Sequence, residues 1–133
     1  MPGMREETLL AFDYGEKKLG VAIGNSLLKQ SRPLDIILEL TRVARFARIA
    51  ALIDTWKPER IVVGLALESD GSEHYPAGHC RRFARQIEGR FGIPVVLVDE
   101  RGSSVEAQKF TGNNPDDAHA AAIILQRYFD ALS

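Results

Sequence analysis

The sequence predicts an α/β fold on a mixed five-stranded sheet: a three-stranded antiparallel meander plus two parallel strands, with helices on both faces. Three observations carry this. Apolar runs at 8–13, 19–23 and 34–40 follow one another with little room for a crossover helix. From Arg42 the apolar period becomes helical. Two more apolar runs, at 60–65 and 95–98, then alternate with helical segments, as parallel strands require.

Each element has its own justification. Leu9-Leu10-Ala11-Phe12 is apolar at successive positions, the signature of a strand covered on both faces, and it ends in Asp13-Tyr14-Gly15. Leu19-Gly20-Val21-Ala22-Ile23 returns beside it after a short turn. In the first helix Val43, Phe46, Ala50, Ile53 and Trp56 recur at three or four residues, and Pro58 stops it. Arg42, Arg45 and Arg48 read as a solvated stripe on the opposite face. Arg60-Ile61-Val62-Val63-Gly64-Leu65 is a buried strand, followed by a polar loop from Glu68 to Glu73. A second helix, about 76–91, buries Cys80, Phe83, Ala84, Ile87 and Phe91. After Pro94 the strand Val95-Val96-Leu97-Val98 runs into Asp99-Glu100-Arg101. Ser103-Ser104-Val105-Glu106 matches a capping box for a short helix. Asn114 and Pro115 are placed to cap and start a last helix reaching about Asp130.

At 133 residues the chain is expected to form one domain, 1–133. The apolar content of 45% and charged content of 26% are those of an ordinary soluble protein. No run approaches the roughly 18 apolar residues of a membrane span, and the first residues lack a signal-peptide core, so a cytoplasmic protein without membrane partners is expected. Cys80 is the single cysteine, which excludes an internal disulfide and a cysteine zinc cluster. Net charge is −1, yet arginines cluster at 42–48 and 81–90, a distribution compatible with nucleic acid.

This order of elements is the RNase H-like arrangement. With the fourth strand beside the first, the carboxyl ends of strands one, four and five share one rim, the usual place for a site on an open α/β sheet. Three acidic positions fall there: Asp13, Asp99/Glu100 and Asp116/Asp117. Carboxylates from separate elements are what two-metal phosphodiester hydrolysis needs. Singly, each has a plainer reading. Asp13 closes a strand into a turn, Asp99-Glu100-Arg101 forms a loop ion pair, and Asp116 and Asp117 complement a helix dipole. Alternation and helical periodicity leave open Asp99 against Glu100 and Asp116 against Asp117. Lys17 and Lys18, just after Asp13, are well placed to meet a phosphate, and Arg81, Arg82 and Arg85 follow a loop that could admit a strand. His119 reads as a half-exposed helical histidine and Cys80 as core.

Together these residues resemble the YqgF/RuvX family, small bacterial proteins assigned as Holliday junction resolvases or pre-16S rRNA nucleases. The resemblance runs through Ala11-Phe12-Asp13-Tyr14-Gly15, Lys17-Lys18-Leu19-Gly20-Val21-Ala22, Ser31-Arg32-Pro33-Leu34, Ile61-Val62-Val63-Gly64-Leu65, Asp70-Gly71-Ser72, Asp99-Glu100-Arg101-Gly102-Ser103-Ser104 and Asp117-Ala118-His119-Ala120-Ala121. It implies a nuclease that uses Mg²⁺ or Mn²⁺ on structured nucleic acid, RNA in preference to branched DNA, as a monomer or homodimer. It further implies Asp13, Glu100 and Asp117 as metal ligands, with Asp99 the alternative to Glu100. Lys17, Lys18, Arg81, Arg82, Arg85 and Arg101 would then contact the nucleic acid. The chain departs from the family at Gly64-Leu65-Ala66-Leu67, where proline is usual in place of Ala66, and in a shorter 107–117 segment whose one base is Lys109. That shortening motivates an alternative, a nucleic-acid-binding protein of the same fold with weak catalysis. An actin-like phosphotransferase, whose first strand also ends in an acid and glycine, needs two such halves and a longer chain.

Overall fold

The computed structural model describes residues 6–15, 18–38, 41–65, 75–99 and 117–132. Five strands, β1 (Thr8–Tyr14), β2 (Leu19–Asn25), β3 (Gln30–Ile37), β4 (Arg60–Leu65) and β5 (Val95–Asp99), form one sheet in the order β3-β2-β1-β4-β5. The helices are α1 (Arg42–Trp56), α2 (Tyr75–Phe91) and α3 (Asp117–Ala131). β1 pairs antiparallel with β2 and parallel with β4, and β4 pairs parallel with β5. This is the mixed sheet expected from the sequence, with helices on both faces.

Alternation along β1 divides the core in two. Leu10 and Phe12 join Val21, Ile61 and Val63 under Phe46 and Ile49 of α1 and Phe83 and Ile87 of α2. Leu9 and Ala11 join Ala22 and Val62 under Ala121, Ile124, Leu125 and Phe129 of α3. On the first face Phe83 is the centre of an aromatic group, its ring centroid 5.8 Å from Phe12, 5.0 Å from Tyr14 and 6.1 Å from Phe46. On the second face small side chains let α3 lie close. A Cβ on Gly24 would stand 2.8 Å from both Leu125 Cδ2 and Phe129 Cε2.

Two expectations are corrected. The third strand starts at Gln30, not at 34, because Asn25 closes a tight turn: its Oδ1 accepts from the Leu27 and Leu28 backbone N–H groups, which sends the chain straight back along β2. Pro33 is tolerated within this edge strand, beside the irregularity where Val21 pairs with Asp35 and Ala22 with Pro33. The phase of α1 also differs. Thr41 caps it, its Oγ1 accepting from Ala44 N–H at 3.2 Å, and the buried side chains are Arg45, Phe46 and Ile49. Val43, expected inside, is 82% exposed, and Arg45, expected in a solvated stripe, is 7% exposed. The apolar arc runs through Phe46, Ile49, Leu52 and Ile53; position 45 falls within it, one helical turn before Ile49, while 43 points away. Arg48 keeps a half-exposed place and donates to Asp35 at 2.9 Å.

The short helix expected after Ser103 and the cap at Asn114 lie outside the described residues.

Candidate active site

The site is built around the carboxyl ends of β1, β4 and β5. Phe12 pairs with Val63, and Val63 with Leu97, so these three make one row across the sheet. Beyond that row β1 has no further partner in β4, whereas β4 and β5 continue through Gly64↔Val98 and Leu65↔Asp99. Asp13 is the first β1 residue past the row. It stands at the open end between the antiparallel meander and the parallel pair, half-buried, and still paired with Gly20 of β2. Its parity is that of Leu9 and Ala11, so its carboxylate is on the α3 side, and Tyr14 is on the α1/α2 side against Phe83.

Gly15 has a structural explanation in the turn itself. A Cβ there would stand 2.7 Å from the Lys18 carbonyl oxygen, closer than real contacts permit. The glycine thus lets β1 fold back into β2 directly beside the acid, and Lys18 is exposed at that turn. Lys17 lies outside the described residues.

On the far side of β4, Val98 packs with the α3 cluster, while Val95 and Leu97 pack with the α1/α2 cluster. Asp99 is the last residue of β5 and sits in the register of the latter pair. Glu100 and Arg101 lie outside the described residues. Asp117 is the first residue of α3, and Asp116 lies outside the described residues.

α3 touches all five strands. Two hydrogen bonds tie it to β3 and the turn before that strand: Ser31 Oγ donates to the Ala122 carbonyl at 2.6 Å and Gln126 Nε2 donates to the Lys29 carbonyl at 2.9 Å. The first half of α3 begins at Asp117. Buried Ala118, Ala120 and Ala121 lie in that half, and His119 between them is half-buried.

The arginines of α2 divide between two cavities. Arg82 joins Tyr14, Arg42, Arg45, Phe46, His79, Phe83 and Gln86 around a cavity of about 310 Å³ between α1 and α2. Arg81 and Arg85 line a different one at the β5 edge with Glu88, Val95 and Leu97. Sequence reasoning missed Arg45 and this first cavity. The available signal was the position of Arg45 four residues before Ile49 and seven before Leu52, within the apolar arc.

Among the described residues no three histidine, cysteine, aspartate or glutamate side chains are gathered as a metal site. No described helix is long and apolar enough to cross a membrane.

Comparison with known proteins places this architecture. A family model described as "RuvX: Holliday junction resolvase" matches residues 7–131. The chain is 64% identical over 130 residues to a Bordetella petrii protein named "Putative pre-16S rRNA nuclease", covering 97% of this chain and 99% of that one. A Paraburkholderia phytofirmans protein of the same name is 51% identical over 138 residues, covering all of this chain and 94% of its own. In fold the chain is similar to Thermus thermophilus RuvC, with TM-score 0.60 at 17% identity over 94% of this chain and 95% of that one. It is also similar to the Fowlpox virus resolvase solved with Holliday junction DNA, with TM-score 0.61 at 14% identity over 94% and 98% of the two chains. An RNase H-like sheet of this order, matched by the family model over nearly its whole length, makes the chain a member of the RuvX family.

Proposed function

We propose that this chain is a single-domain, divalent-metal-dependent nuclease, residues 1–133, that hydrolyses phosphodiester bonds in structured RNA, in 5′-end maturation of pre-16S rRNA. The observation that carries the reading is the position of Asp13. It is an acid at the open end of an otherwise apolar strand, on the face covered by a helix that begins with a second acid. The names of relatives that align end to end with this chain support the RNA substrate.

The donor set fits a hard divalent cation. Asp13, Glu100 and Asp117 supply only carboxylate oxygens, the ligands Mg²⁺ and Mn²⁺ prefer. Asp99 has the register of Val95 and Leu97, on the face opposite Asp13, which counts against it; Glu100 is retained from the family resemblance. β1 and β5 are two strand spacings apart, about 10 Å. Carboxylates from both sides with a cation between them, at bonds of about 2.0–2.6 Å, can bridge such a gap. The reach of α3 is consistent as well. Leu125 packs at Gly24, level with Leu9, and eight helical residues from Leu125 to Asp117 rise about 12 Å. Four strand residues from Leu9 to Asp13 rise about 13 Å.

A cation held there would activate water and offset charge on the leaving oxygen. The chain's own groups do the remainder. Asp13, Glu100 and Asp117 orient the cation, Lys17, Lys18 and Arg101 hold phosphate oxygens, and Arg81, Arg82 and Arg85 guide the flanking strand. A cytoplasmic location suits this role.

A second reading is favoured by the family description and by the fold of the resolvases: cleavage of branched DNA. It requires a homodimer, because two symmetric strands must be cut. Incubating the purified protein with a pre-16S 5′ leader RNA and with a four-way DNA junction separates the readings. The RNA should be cut with Mn²⁺, spared with EDTA, and spared by Asp13→Asn. Cutting of the junction alone favours the resolvase reading. RNA bound but uncut with Mn²⁺ makes the chain a binding protein of this fold.

A further inference from the structure

We propose that the cavity between α1 and α2 is a phosphate-binding subsite for the nucleic-acid strand, on the sheet face opposite Asp13. Three guanidinium groups, Arg42, Arg45 and Arg82, and the His79 imidazole line it, and among the described residues no carboxylate does. Surface arginines alone would be a solvated face. Here one of the three is built into the protein. Arg45 is 7% exposed, with its Cζ 5.7 Å from the Tyr14 ring centroid, at the outer reach of a cation–π contact. A fourth guanidinium, Arg90, stacks 4.1 Å over Phe46 behind the cavity. Arg42 and Arg82 are exposed and make no hydrogen bond or ion pair among the described residues, so both are available to an incoming group.

Size and position identify the anion. A volume of about 310 Å³ is at the lower end of small-ligand pockets, which span roughly 300–1,000 Å³, and suits one phosphate with part of its nucleoside. The aromatic side chains Tyr14, Phe46 and Phe83 supply an apolar wall beside the cations, and arginine forks match phosphate oxygens bidentately. Tyr14 is the residue after Asp13, with Cα atoms about 3.8 Å apart. A strand crossing the end of β1 therefore meets the acid on one side and this cavity on the other. That adjacency assigns the phosphate to a strand rather than to a free nucleotide. The identity of the strand rests on the nuclease reading; the capture of phosphate does not.

The test is equilibrium binding of a fluorescent, single-stranded RNA of about six nucleotides in EDTA, where hydrolysis plays no part. Arg42→Ala with Arg82→Ala should weaken binding at least tenfold and reduce the salt slope by about 1.4, the value for two lost phosphate contacts on a single strand. Lys57→Gln, one charge fewer at the opposite end of α1, should bind within twofold of the wild type. Both variants alter exposed side chains, and circular dichroism verifies that they fold. Wild-type affinity and slope in the double variant would overturn the subsite. Adenosine monophosphate or inorganic phosphate binding more tightly than the oligonucleotide would overturn its assignment to a strand. Since cleavage with Mn²⁺ is read separately, normal cleavage with an unaffected double variant sinks the cavity alone. RNA held through Arg42 and Arg82 but never cut sinks the nuclease reading alone.

Discussion

Where α3 lies on the sheet, alanines and a glycine make room for Leu125 and Phe129, whereas the face under α1 and α2 is filled by aromatic rings. Ala11 and Ala22 meet Ala121 and Ala122, and Gly24 leaves room for Leu125 and Phe129. On the other face Phe12, Tyr14 and Phe46 surround Phe83. Small residues bring a helix axis close and fix its height, which sets where α3 begins relative to Asp13. Large rings hold their helices further off and leave a cavity that arginines line. The same strand, β1, feeds both: Asp13 to one face, Tyr14 to the other. The difference teaches that one strand end serves two surfaces, with Asp13 under α3 and Tyr14 at the arginine-lined cavity.

Phe83→Ala removes the ring common to the aromatic group and should cost about 3–5 kcal/mol, read by urea unfolding, with a fall in melting temperature on the order of 10 °C. A loss under about 1 kcal/mol would mean that the rings do not hold this face. Gly24→Ala puts a methyl group where Leu125 and Phe129 already are and should cost about 1–3 kcal/mol. The methyl would also stand 2.8 Å from the Gln30 carbonyl oxygen, so α3 or the β2–β3 pairing must give; unchanged stability would show that this close fit does not matter. Arg48→Ala breaks an ion pair whose side chains are 43% and 38% exposed, and should cost under about 1 kcal/mol. A larger loss would mean that β3 depends on α1 through this pair.

The strand order was legible because pairing follows from connection length and apolar runs, both visible residue by residue. The phase of α1 was not. Val43 is as apolar as its neighbours, but it stands away from the arc that meets the sheet, and only packing decides that. Arg45 was misplaced for the converse reason: its charge argues for solvent, while its position beside Phe46 and the ring of Tyr14 draws its stem inward. The early start of β3 turned on one side chain, Asn25, whose carbonyl oxygen organises the turn. At the site, Asp13 stood out as an acid ending an apolar strand. That Val98 and Leu97 pack against different helices, which puts Asp99 in the register of Leu97, is contained in no single strand's sequence.

The central claim is that Asp13, Glu100 and Asp117 bind one set of divalent cations. Isothermal titration of Mn²⁺ into the wild type and into Asp13→Asn, Glu100→Gln, Asp117→Asn and Asp99→Asn tests it most directly. The account predicts that each of the first three weakens Mn²⁺ binding at least tenfold, while Asp99→Asn binds within about threefold of the wild type, where tenfold corresponds to about 1.4 kcal/mol. Wild-type affinity in Asp13→Asn would contradict it.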